Sequence, residues 1–144
     1  MLTAAELQTL TYRNVTISDH ATFPDGQILE ISNRYYVVQN TIFPTGGYRQ
    51  QVRLYSRGNE LFLYDVQSGT CVRLLPADII KSHIQEFNGF AHGKRFELRN
   101  GETWEQTDTL NSPCSPGGKV WIKDQRVMRV GNWDFNVAVK RNRP

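Results

Sequence analysis

The sequence predicts an all-β, mainly antiparallel protein of two small sheet or barrel modules, residues 1–76 and 77–144, with a short helix leading the first. Three observations predict it. Short apolar runs alternate with polar residues at period two, the spacing of a half-buried strand. Clusters of Gly, Asn, Asp, Ser and Pro separate these runs at short, even intervals, as in a small antiparallel sheet or barrel. A helical period appears only briefly, near the N-terminus and over 79–87, and the second stretch fits a strand as well.

The elements follow in order. Thr3-Ala4-Ala5-Glu6 has the spacing of a capping box, a hydroxyl followed three residues later by a carboxylate, and predicts a short helix over about residues 4–10. So short a helix persists only if it docks. Residues 19–26 read as loop, ending in the turn signal Pro24-Asp25-Gly26. Residues 28–31 and 35–38 are β-rich, with Ser32-Asn33 as a kink between them. From 48 to 56 the chain alternates: Tyr48, Gln50, Val52, Leu54 and Ser56 share one face, and Arg49, Gln51, Arg53, Tyr55 and Arg57 share the other, which is expected to be wet. Arg57-Gly58-Asn59 turns into a strand at 61–66, and Gln67-Ser68-Gly69 turns into another at 70–75, which closes a four-strand meander.

Pro76-Ala77-Asp78 interrupts the pattern, and the second half then repeats the β texture. Phe96 and Leu98 alternate with Arg95, Glu97 and Arg99, and Asn100-Gly101 signals a two-residue hairpin turn into 103–107. Residues 110–118 hold two Pro and two Gly and read as loop, and strands are expected at 119–123, 126–130 and 133–140. No aligned motif links the two halves, so no duplication is read from them.

The run Phe96-x-Leu98-x-Asn100-Gly101-x-x-Trp104-x-Gln106, preceded by Ile84-x-x-Phe87-x-Gly89-Phe90 and followed by Val120-x-Ile122 and Val137-x-Val139-x-Arg141, resembles a group of uncharacterised small bacterial domains built on that hairpin. The resemblance covers about residues 80–143. It implies a small barrel of the Src-homology type for the C-terminal module and favours a strand at 84–90. It implies no activity. The chain departs from the group in having Phe90 where Trp is usual, and Val130-Gly131-Asn132-Trp133 in place of a Gly-rich approach to the last strand.

Composition narrows the function classes. The chain has 144 residues, enough to bury a core without disulfides or metal. At 39% hydrophobic and 22% charged it has a globular balance. No apolar run is long enough to span a membrane as a helix, and the first residues lack the basic start and apolar stretch of a secretory signal, which reads as cytoplasmic; an exported mature form is the alternative. The net charge of +3 is uneven: residues 1–72 hold five Arg and six acids, and residues 73–144 hold twelve Lys or Arg and eight acids. Interleaved acids argue against a dedicated nucleic-acid face.

Catalytic and metal constellations are not found. His20, His83 and His92 are scattered, Cys71 and Cys114 stand alone, and no nucleophile elbow or phosphate-binding loop occurs. Glu97 and Glu105 are the one carboxylate pair that a hairpin could bring together. No cofactor or metal is therefore expected. The best binding signal is aromatic and cationic: Phe43 and Tyr48 beside Arg49 and Arg53, as apolar anchors with flanking guanidinium groups, and Trp121 on a strand face shared with Lys119 and Lys123. The leading expectation is a non-catalytic module that binds a protein or peptide. Weak nucleic-acid binding through Arg95, Arg99, Lys119, Trp121 and Lys123 is the first alternative. An enzyme whose site is dispersed in sequence is the second.

Overall fold

A computed structural model describes residues 2–39, 41–46, 50–84, 89–112, 118–131 and 136–142. The chain divides into two compact units, Met1–Ala77 and Asp78–Pro144. Apart from one helical turn, the regular structure is antiparallel β, as the alternation predicts.

The first unit opens with α1 (Ala4–Leu7). Its N-terminus is closed by the expected capping box: the Glu6 N–H donates to Thr3 Oγ1 at 3.2 Å, and the Thr3 N–H donates to Glu6 Oε1 at 3.3 Å. The Thr3 N–H, then the Thr3 hydroxyl, which donates to Glu6 Oε1 at 3.1 Å, and then Arg57 hold the Glu6 carboxyl below its ordinary pKa. Seven strands follow: β1 (Tyr12–Val15), β2 (Ile17–Phe23), β3 (Gly26–Ile31), β4 (Arg34–Val38), β5 (Val52–Arg57), β6 (Glu60–Asp65) and β7 (Cys71–Pro76). They form one sheet in the order β1-β5-β6-β7-β4-β3-β2. Its two edges, β1 and β2, are consecutive halves of one strand bent at Thr16, so the sheet curls back on itself.

Two sequence expectations change here. Residues 19–23 belong to a strand, not a loop. β2 pairs with β3 through a register shift at Ile17/Asp19, and that bulge breaks the period-two pattern. Ser32-Asn33 is not a kink but a full reversal: both residues are left-handed (φ 52° and 63°), and Ile31 pairs with Arg34 across them.

Inside the curl lie Leu29, Ile31, Val38, Leu54, Leu63, Val72 and Leu74. The face of β5 that carries Arg53, Tyr55 and Arg57 was expected to be wet, yet at Tyr55 it is dry. Leu2 and Leu7 pack on Tyr55, Phe62 and Cys71, so the N-terminal arm covers it. Burial raises the Cys71 thiol pKa.

The second unit holds β8 (Ile79–His83), β9 (Arg95–Glu97), β10 (Thr103–Gln106), β11 (Lys119–Lys123), β12 (Val127–Val130) and β13 (Asn136–Asn142), in the order β8-β11-β12-β13-β10-β9. Residues 79–83 are thus a strand, and the rest of the ambiguous stretch beyond Ile84 lies outside the described residues. An Ile84–Leu98 bridge, with the Arg99 N–H donating to the His83 carbonyl at 2.7 Å, draws the two edges together. Phe96, Leu98, Trp104, Val120, Ile122, Met128, Val130, Val137 and Val139 fill the core. The β9–β10 connection has three residues rather than two. The Gly101 N–H donates to the Leu98 carbonyl, Asn100 stays out of the left-handed region, and Gly101 takes φ +90°.

With β1 and β2 taken as one strand, the two sheets follow the same path. In each, strand one pairs with strands two and four, and strand three pairs with strand six. The path is shared although the sequences are not. In each unit a buried glutamine also pins the long connection between strands three and four. Gln27 donates to the Phe43 carbonyl at 3.0 Å and accepts from its N–H at 2.8 Å. Gln106 donates to the Leu110 carbonyl of that connection at 2.7 Å, and it accepts from the N–H of Ala91, in the connection between strands one and two, at 2.9 Å. A long connection carries backbone groups under the sheet, and a side-chain amide, with both donor and acceptor, satisfies them there.

Candidate functional site

The residues singled out in the sequence do not gather as a group. Phe43 is fully buried in the first core, with its backbone clamped by Gln27. It folds under the sheet, so it is not an exposed anchor; its neighbour Ile42 is the exposed one, at 69%. Tyr48 and Arg49 lie outside the described residues. Trp121, at 3% exposed, does not stand out in solvent: the ammonium groups of Lys81 and Lys119 sit 5.1 and 5.8 Å from its ring centre. Of the basic residues proposed beside it, Arg95 is engaged by Glu105 at 3.6 Å, and Lys123, 7% exposed, by Asp124 at 3.2 Å. Glu97 faces Thr103, so it does not pair with Glu105. Cys114 lies outside the described residues, and Cys71 is buried.

Arg53 remains. It lies on β5 between Asn14 of β1 and Tyr64 of β6, on the outer face of the sheet. Its guanidinium carbon lies 4.6 Å from the centre of the Tyr12 ring, within cation–π range. A side-chain hydrogen bond with Tyr55 raises its pKa further. Tyr12 stacks at a tilt on Tyr55, 5.1 Å between ring centres, and Tyr55 meets Tyr64 edge-on at 6.3 Å. Tyr12 is 48% exposed, whereas Tyr55 is buried under the N-terminal arm. Among the described residues no carboxylate pairs with Arg53, in contrast to Arg57, which reaches Glu60 at 3.1 Å and Glu6 at 3.4 Å. Shallow concavities of about 350 and 380 Å³ flank the Tyr12–Arg53 pair, one bounded by Leu7, Leu10 and Tyr64, the other by Asn14, Gln50 and Gln51.

Beside this patch runs the edge of β1. The Ser56 N–H donates to the Thr11 carbonyl, which sets the phase of the antiparallel ladder. Hydrogen-bonded pairs alternate from there, so Arg13 and Val15 face β5, while the N–H and C=O groups of Tyr12 and Asn14 point away from it. Among the described residues these outward groups have no backbone partner. Beyond the edge a concavity of about 430 Å³ separates β1 from the Ser32-Asn33 turn.

Sequence reasoning identified Arg53 but missed Tyr12, Asn14 and Tyr64. The signal was Tyr12-Arg13-Asn14-Val15 itself, a β-compatible tetrad placed directly after the helix. The arrangement offers cationic, aromatic and backbone hydrogen-bonding groups, the means to hold a ligand. Among the described residues no cluster of His, Cys, Asp and Glu could hold a metal ion, and no helix is long and apolar enough to cross a membrane. Compared with family models, curated proteins and solved structures, the chain matches none.

Proposed function

We propose that the chain is a non-catalytic recognition module for a protein or peptide partner, with its contact surface on the outer face of β1 and β5. One observation carries this reading: a guanidinium without a carboxylate partner among the described residues, 4.6 Å from a half-exposed tyrosine ring and flanked by concavities on both sides. Tyrosine and arginine are the residues enriched where interface energy concentrates, because each offers a broad apolar body with a polar end. The test is selection of binders from a displayed random peptide library, followed by affinity measurement against variants. Tyr12→Ser and Arg53→Gln should each weaken selected binders by about tenfold or more, while Arg57→Gln, whose charge is already engaged, should change little. Binders that keep their affinity for both variants would refute the surface.

A further inference from the structure

Resting on that reading, we infer that the partner is an acidic segment in extended conformation, which adds as a strand to the free edge of β1. The backbone argument comes first. The Tyr12 and Asn14 N–H and C=O groups face away from β5 in the spacing that an incoming strand needs, and β1 is an edge strand of its sheet. Space comes next. The bulge at Ile17/Asp19 and the bend at Thr16 carry the chain away from β3, which leaves the concavity between Asn14 and Ser32-Asn33 open along the edge. The edge carries neither proline, which would remove an outward donor, nor lysine.

Charge selects the occupant. Arg13 shares the face of Leu54 and Arg53 lies on the opposite face, so a strand laid along β1 has one guanidinium above it and one below. Among the described residues, the three concavities around the edge are lined by these two arginines and by no acid. Glu30 on β3 is turned to the Ser18 hydroxyl, which donates to its Oε2 at 2.8 Å. Successive side chains of a strand alternate between faces, so carboxylates at adjacent positions of the incoming segment meet Arg53 and Arg13 in turn.

The experiment uses the full chain and a fluorescein-labelled octapeptide of valine pairs alternating with glutamate pairs, whose adjacent carboxylates point to opposite faces of the strand, read by anisotropy and by amide NMR shifts. The glutamate peptide should bind about tenfold or more tightly than its lysine counterpart, and less tightly as salt rises. The Tyr12 and Asn14 amides should gain protection from exchange. N-methylation of alternate residues should abolish binding in one phase and spare it in the other, because only one peptide edge faces β1. Asn14→Pro removes an outward donor without touching the β5 ladder and should weaken binding with little change in melting temperature. Binding that survives N-methylation in both phases would overturn strand addition, yet leave the Tyr12–Arg53 surface to stand on the library result. Equal or better binding of the lysine peptide, or no binding of either, overturns the inference. So does a chain that dimerises and is returned to monomer by Asn14→Pro, because its edge is then filled by a second copy.

Discussion

Replacing Phe43 with alanine separates a core residue from a surface anchor. The side chain is fully buried among Leu29, Ile31 and Leu54, and the Gln27 amide holds its backbone on both sides. Truncation removes an aromatic ring from a packed site whose backbone cannot collapse inward, since two hydrogen bonds fix it. The expected loss is about 3–5 kcal/mol, the range for a buried Phe→Ala change. A domain of this size loses about 4–8 °C of melting temperature per kcal/mol, so the transition of the first unit should fall by roughly 12–40 °C. Ile42→Ala is the internal control: its neighbouring side chain is 69% exposed, and its loss should cost about 0.5 kcal/mol or less. Urea denaturation followed by the signals of the first unit measures both. A cost below about 1 kcal/mol for Phe43→Ala, or equal costs for the two variants, would refute the placement of this loop.

Gly101→Val should destabilise the second unit by about 1–2 kcal/mol in chemical denaturation; no atom lies within 4 Å of the added Cβ, so the cost is the left-handed backbone at φ +90° and not a clash. Gln106→Leu should cost about 1–3 kcal/mol, because the Ala91 N–H and the Leu110 carbonyl lose their partner, and the exchange of the Ala91 amide should accelerate. Glu6 has a lowered pKa in the folded chain, so its contribution is present above the ordinary carboxylate value of 4.5 and is lost as pH falls through the folded value. Acidification over that window should lower the protection factor of the Leu7 amide, its exchange taken relative to the intrinsic rate at each pH, and Glu6→Gln should remove that change.

Much of the fold was legible because alternation and turn chemistry are local. The hairpins around Gly58 and Gly101 and the capping box at Thr3 are each written within a few residues. What escaped depends on distant partners. Tyr55 alternates as a solvent-facing residue, yet Leu2 and Leu7, far earlier in the chain, cover it. Phe43 reads as a loop residue until Gln27 draws it under the sheet. Trp121 shares a strand face with lysines, and the sequence does not say that Lys81 from β8 meets its ring. Ser32-Asn33 was under-read because residues other than glycine seldom reverse a chain through two left-handed conformations. Of the site, Arg53 was legible as an outward guanidinium. Tyr12 was not, because it lies just past the predicted helix, where no strand was expected.

The shared path of the two sheets has a consequence for how the chain folds. In each unit the hairpins of neighbouring strands, such as β3 with β4 and β5 with β6, close short loops and can form early. The ladders that join strand one to strand four, Val15 with Val52 and His83 with Lys119, close over long stretches of chain. Their loop-closure entropy must be met before their contacts contribute, which makes them late and rate-limiting. Each unit therefore passes through an open stage in which two finished hairpins await their joining strand. Variants along β1 or β8 should mainly accelerate unfolding, while variants in the hairpins should slow folding.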